Sequence, residues 1–335
     1  MAEIKKGKRM KRLIQKKLKK TKENLYYILS ALMIGLIVGG IDALFGRVLI
    51  AITDFRGRYI QILIWFLPIA GLFICWMYHH FNEMSLKGMT LVLETAQGKR
   101  ADIPLALVPL VMVGTWITHL FGGSAGREGV AVQIGATLSH WFARRFKFAD
   151  NRTILLIAGM AAGFGGLFQT PFAAVFFSME VVVTGKMLYQ AFLPSLVAAV
   201  TASTFSNALG LGKFAVPLKQ SFNLSESKTM FYMVILGVAF GLTGRVFSVL
   251  LKRAKAFMGE KLANPYKRIV FVSIPLAIIL FAFWNGRYCG LGTNLISQTF
   301  TGGEIFSFDW IIKLLLTVIT LSIGFQGGEV TPLFS

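Results

Sequence analysis

The chain has 335 residues, 55% of them hydrophobic, with a formal net charge of +20 and a mean hydropathy of +0.65. Soluble domains average about 45–50% apolar, and their helices need polar faces that the long apolar runs here lack, which excludes a large soluble helical core. The two cysteines, Cys75 and Cys289, lie in apolar surroundings; they exclude a disulfide framework and read as small buried hydrophobes.

Residues 1–24 form a basic segment. Eleven Lys and Arg residues fall between Lys5 and Lys22, directly before the first apolar run. Such a cluster is attracted to anionic lipid headgroups and stays on the cytoplasmic side; no nucleic-acid partner is expected. Leu13, Ile14 and Leu18 stand at helical spacing and suggest an amphipathic interfacial helix. Residues 26–50 are then apolar except for Asp42 and Arg47, residues 60–76 form a second run, and residues 310–325 form a late one whose only charge is Lys313. A helix needs about 20 apolar residues to cross a bilayer. The expectation is an all-α, multi-pass protein of the plasma membrane with a cytoplasmic N-terminus.

The chain also repeats itself. Gly35 and Gly237, Gly39 and Gly241, Phe45 and Phe247, and Gly88 and Gly290 stand at one common offset, with Glu128 and Glu329 one residue short of it. A shared order over that length predicts two structural repeats, residues 25–207 and 228–335, joined by a linker at 208–227. In transporters such repeats are often inverted. The loop after residues 230–251 carries Lys252, Arg253, Lys255, Lys261, Lys267 and Arg268 against Glu260; the loop after the first span has only Asp54, Arg56 and Arg58. Inversion with positive charge inside predicts that contrast. By the same logic the counterpart of residues 135–207 lies beyond Ser335. The chain is therefore expected to be truncated by roughly 70 residues of the second repeat.

Four glycine-rich breaks interrupt the apolar pattern, at 88–89, 122–129, 290–292 and 327–329, each before a run able to form a helix. Helix N-termini leave backbone N–H groups unpaired and carry partial positive charge, which suits an anion. Irregular backbone at membrane depth persists only inside protein or along a cavity. A central anion site made largely of backbone is expected. Glu128 beside such an N-terminus imitates the anion: ionised it fills the site, protonated it can leave. It is the candidate gate and proton-coupling group. Arg127 is read as structural, bonded to carbonyls or carboxylates near the break.

Other polar residues offer less. Glu180, at a helix end, is read as a structural carboxylate, and His79 and His80 as interfacial. His119 and His140 have no ligand partners at metal spacing, so packing or solvation is expected. No metal and no cofactor are expected.

Three stretches resemble the CLC family of chloride channels and anion/proton antiporters. "GREGVAVQIG" (126–135) is similar to its gate motif, "AGMAAGFGGLFQTPFAAVFFSMEV" (158–181) to its Ala/Gly-rich helix and the turn and helix after it, and "GFQGGEVTPLF" (324–334) to its later Gly-Phe-Pro region. "KGMTL" (87–91) stands where the family's first anion motif belongs. The resemblance implies a homodimer with one anion path per subunit, an inverted repeat with broken and re-entrant helices, and Glu128 as the external gating glutamate. Met89 stands in place of the family's central serine, Val130 of the proline after the gate, Val330 of a phenylalanine, and Val181 of an internal proton-carrying glutamate. This set resembles the fluoride-exporting branch, which exchanges one fluoride for a proton. There the path would include Gly88, Met89, Gly126, Arg127, Gly129, Val130, Val330 and Thr331, with Glu329 as an accessory group. A chloride channel or chloride/proton antiporter of the same family is the alternative. Two further readings stand beside these. A chain ending at Ser335 would be a non-transporting fragment, and "GGSAG" (122–126) matches the nucleophile elbow of a serine hydrolase, with His119 nearby.

Overall fold

The computed structural model describes residues 2–146, 152–183, 185–216, 226–283, 286–329 and 332, with side chains from residue 24 onward. The described part is helical: α1 Ala2–Leu63, α2 Leu67–Phe81, α3 Met89–Ala96, α4 Leu107–Leu120, α5 Glu128–Arg145, α6 Arg152–Phe168, α7 Pro171–Val181, α8 Phe192–Ala208, α9 Ser227–Lys261, α10 Pro265–Ala282, α11 Thr293–Thr301 and α12 Asp309–Ile323. Among the described residues, four helical stretches are long and apolar enough to cross a membrane: Asn24–Phe81, Tyr189–Ala208, Ser227–Lys261 and Pro265–Ala282.

The backbone of the basic segment continues without interruption into the first span as part of α1, and its side chains lie outside the described residues. The helix leaves helical geometry at Tyr59 (φ −122°, ψ 18°) before the next turn begins. The basic run at 252–261, expected in a loop, is the last stretch of α9, and Asp54, Arg56 and Arg58 likewise stay helical in α1. Lys and Arg are good helix formers, so both helices run on past their apolar stretches. At about 1.5 Å per residue a helix of the length of α9 reaches about 50 Å, well beyond a hydrocarbon core of about 30 Å. Residues 217–225 of the 208–227 linker lie outside the described residues.

The chain packs as two compact units that interleave along the sequence. The first comprises residues 1–43, 90–105 and 134–212. Its helices approach through small residues. A β-carbon on Gly35 would meet Ala198 and Thr201, and one on Gly39 would meet Ala202. Gly135 and Gly159 place α5 and α6 backbone to backbone. Without a hydrophobic drive between helices in lipid, such close van der Waals contact is what holds them. Outside the spans of this unit, Asp102 accepts from His140 Nε2 at 3.1 Å and pairs with Arg144. Burial pushes the Asp102 carboxyl up, but hydrogen bonding and charge from Arg144 and His140 outweigh it and hold the carboxyl below the usual range. A depressed carboxylate stabilises the fold above the usual range and loses that contribution as pH falls through its folded value. Asp102→Asn should therefore lower the thermal midpoint of the purified protein modestly at neutral pH, the pair being half exposed. The difference from wild type should vanish in acid; a pH-independent difference would count against the ion pair.

The second unit comprises residues 44–89, 106–133 and 213–335. Its core joins Ile64, Leu67, Ile74 and Tyr78 to Leu276, Leu280, Tyr288, Ile323 and Phe325. A smaller cluster seats Phe247 and Leu251 of α9 against Leu314, Val318 and Leu321 of α12, with Ala125 between them. Most of the N-terminal half of α9, from Met230 to Leu242, keeps its large apolar side chains exposed, as a lipid-facing helix does. All four glycine-rich breaks belong to this second unit.

Candidate functional site

The sequence of each break explains its local shape. Gly88 sits at φ 49°, Gly122 at 87°, Gly290 at 67° and Gly292 at 85°, a left-handed region that residues with a β-carbon rarely enter. The chain turns sharply there and a helix begins: α3 at Met89, α5 at Glu128 and α11 at Thr293.

The breaks are joined through their own backbones. Gly126 N–H donates to the Gly328 carbonyl at 2.7 Å, and Gly328 N–H donates back to the Gly126 carbonyl at 2.7 Å. Gly290 N–H donates to the Gly123 carbonyl at 3.0 Å, and Ala125 N–H to the Gly290 carbonyl at 3.3 Å. A buried segment must satisfy its peptide groups somewhere, and here three breaks satisfy one another.

Glu128 is the first residue of α5 and is 4% exposed. Its Oε2 accepts from the backbone N–H of Arg127 at 3.0 Å. The carboxylate thus folds back over the start of its own helix, where the helix carries partial positive charge. Two glycines make room for it. A β-carbon on Gly126 would lie 2.5 Å from Glu128 Oε2, and one on Gly328 would lie 2.8 Å from Oε2 and 2.6 Å from the Glu128 nitrogen. Arg127 is buried as well, at 6% exposure. Gly129 faces Gly328, a β-carbon there reaching its Cα at 3.7 Å, and Val130 is fully buried. At the first break, Met89 is half-buried at the start of α3. Gln133, in the second turn of α5, brings its amide to Gly88: a β-carbon there would lie 3.2 Å from Gln133 Oε1. That oxygen is buried and unpartnered among the described residues.

A polar cluster supports the breaks. Lys313 of α12 is fully buried, and its Nζ donates to Ser124 Oγ at 2.9 Å, to the Tyr288 carbonyl at 2.9 Å and to the Gly290 carbonyl at 2.6 Å. Ser124 Oγ also shares a 2.8 Å hydrogen bond with Thr317 Oγ1, and Ser124 N–H donates to Thr320 Oγ1. Arg56 donates to the His119 carbonyl at 2.9 Å. The buried His119 ring contacts the Thr115 carbonyl at 2.8 Å and the Ala125 carbonyl at 2.9 Å. The ammonium uses all three of its donors on this scaffold, a satisfied arrangement for a buried charge.

The candidate residues therefore separate. Gly126, Arg127, Glu128 and Gly129 meet Gly328, while Gly88 meets Gln133. Glu329 is exposed and turns to Lys255 at 3.4 Å, away from the Glu128 carboxylate. Val330 and Thr331 lie outside the described residues. The hydrolase constellation does not form, because Ser124 Oγ is engaged by Lys313 and Thr317 and both His119 ring nitrogens face backbone carbonyls. Cys75 and Cys289 are buried and unpaired by disulfide. Gln133, Thr317 and Thr320 were not among the expected site residues, and Ser124 was expected only in the hydrolase reading. Lys313 carried a signal, since a lone charge in an apolar run marks a buried role.

The helical fold, with breaks meeting at helix N-termini, is that of an anion-transport family. Residues 70–335 match the family described as "Voltage gated chloride channel", and the chain belongs to that CLC family of integral membrane proteins. It is 33% identical over 309 residues to the "Chloride/fluoride channel protein" of Pseudomonas syringae pv. tomato, covering 90% of this chain and 68% of that one. It is 24% identical to the "H(+)/Cl(-) exchange transporter ClcA" of Citrobacter koseri, covering 96% and 72%. Among solved structures, a CLC-type fluoride/proton antiporter is 46% identical with a TM-score of 0.90, over 93% of this chain and 79% of that one. A slow cyanobacterial Cl⁻/H⁺ antiporter shares the fold at a TM-score of 0.78 and 21% identity, over 91% and 76%.

Proposed function

We propose that this chain belongs to a fluoride/proton antiporter that exports fluoride across the plasma membrane. One observation carries the reading: the Glu128 carboxylate lies folded onto the N-terminus of α5, 3.0 Å from the Arg127 N–H, in a space kept open by Gly126 and Gly328. Ionised, it holds the position an anion would take. Protonation removes its charge, weakens the charge-assisted hydrogen bond and lets a fluoride enter as the side chain leaves. Each cycle thereby links one protonation to anion entry. The likeness to the fluoride/proton antiporter structure supports the choice of anion, as does Met89, which offers no hydroxyl at the first break.

Gly88, Met89, Gly126, Arg127, Gly129 and Val130 form the path in this reading, with Val330 and Thr331 continuing it. The functional unit is a homodimer, its N-terminus cytoplasmic and held near anionic headgroups by the basic segment. Residues 25–207 and 228–335 are the two repeats, joined by 208–227. The full-length protein in liposomes tests the function, with fluoride and chloride electrodes following efflux with and without a pH gradient. Fluoride efflux driven by inward protons is expected, with chloride far slower. Chloride moving as fast as fluoride would overturn the fluoride assignment.

A further inference from the structure

A cavity of about 370 Å³ opens in the second unit beside the break at 290–292, lined by Thr53, Arg56, Gly286, Cys289, Thr293 and Gln298. Arg56 is 8% exposed and donates one hydrogen bond, to the His119 carbonyl. No carboxylate pairs with it among the described residues. A buried guanidinium has five N–H donors, and an unpaired buried charge is costly. The other cation on this wall, Arg287, is occupied by Asp309 at 2.7 Å.

Helix α11 starts at the same cavity. Its N-cap is Gly292, which has no side chain to cap the helix. The N–H groups of Thr293 and Asn294 donate to no acceptor among the described residues, and the first turn adds partial positive charge. A buried cation without a counterion and an uncapped helix start therefore converge on one space. Gln298 also lines the cavity, and its amide oxygen is buried without a hydrogen-bond partner among the described residues. The volume exceeds that of a bare halide, so a halide there keeps part of its hydration shell.

We propose that this cavity is a second anion site, which takes a small monovalent anion such as a halide and is distinct from the position filled by Glu128. Behind Arg56 lies Gly290, packed against the guanidinium. A β-carbon there would strike the Arg56 guanidinium, and its carbonyl accepts from both Lys313 and Ala125. The proposed site thus adjoins the break at 290–292, which backbone hydrogen bonds join to the break at 122–129.

Crystals of the full-length protein soaked in a graded series of bromide test it by anomalous scattering. A bromide peak beside Arg56 is expected in the wild type. Arg56→Lys should keep the peak, and Arg56→Gln should weaken binding roughly tenfold, as loss of one charge-assisted hydrogen bond would. Should Arg56→Gln fail to fold, Gln298→Glu serves instead: it is nearly isosteric and puts a tethered carboxylate in the cavity, which should displace bromide. An empty wild-type cavity, or equal occupancy in Gln298→Glu, overturns the inference. Bromide at Glu128 with none in the cavity would sink this site alone; bromide in the cavity of a protein without fluoride/proton exchange would sink the antiport reading alone.

Discussion

Glu128→Gln should reduce proton-coupled fluoride flux by roughly a hundredfold or more, the lower end of what a positioned acid–base group contributes. Glutamine keeps the size of the side chain and can occupy the same space over α5. It cannot ionise, so it neither competes as an anion nor accepts a proton. The Arg127 N–H would still find an amide oxygen, so folding should be preserved and the loss should be functional. Liposomes carrying the variant, assayed with a fluoride electrode and a pH-sensitive dye, provide the measurement. Proton-coupled exchange at the wild-type rate would remove Glu128 from the gate. Proton-independent fluoride leakage would keep it there, as a plug that no longer answers to pH.

Lys313→Met should cost the protein about 1–3 kcal/mol in stability. Methionine replaces the length of the side chain but donates nothing. Ser124 Oγ retains Thr317, yet the Tyr288 and Gly290 carbonyls lose their lysine donor. The Tyr288 carbonyl is then left unsatisfied, which costs about 1–3 kcal/mol. The Gly290 carbonyl keeps the Ala125 N–H but loses its shorter bond from Lys313, so the loosening falls on the break joined to the one that carries Glu128. A fall in the melting temperature of the detergent-solubilised protein is expected, together with slower fluoride exchange in whatever fraction folds. An unchanged melting temperature would mean that the ammonium contributes no net stability to the breaks.

Much of this was legible because the bilayer makes polar residues conspicuous. Glu128 stood out as a carboxylate in a glycine-rich gap between apolar runs, and the structure finds it buried at a helix start. The breaks at 88, 122–129 and 290–292 were equally visible, since glycine clusters interrupt helices. What the breaks do to each other was not. The pairing of Gly126 with Gly328 joins residues far apart in sequence through peptide groups every residue shares, so no side-chain pattern announces it. Arg56 looked like a minor loop charge, yet it is a helical residue whose guanidinium reaches the His119 carbonyl. His119 fits the packing role expected of it, with both nitrogens on carbonyls. The basic run after residue 251 misled for a simple reason: charge reports which side of the membrane a segment faces, not whether its backbone has stopped being helical.

The reciprocal hydrogen bonds between Gly126 and Gly328 also limit how the gate can work. They clamp the backbone two residues before Glu128, so opening by a hinge there would break two short peptide contacts inside the protein. Rotation about the side-chain bonds of Glu128 leaves both of them intact. A plug that swings on its own χ angles moves on a rotamer timescale, from picoseconds to nanoseconds when unhindered. The clock of the cycle then belongs to the arrival of protons and the shedding of water from fluoride, and the fold serves as a rigid frame around a single mobile carboxyl.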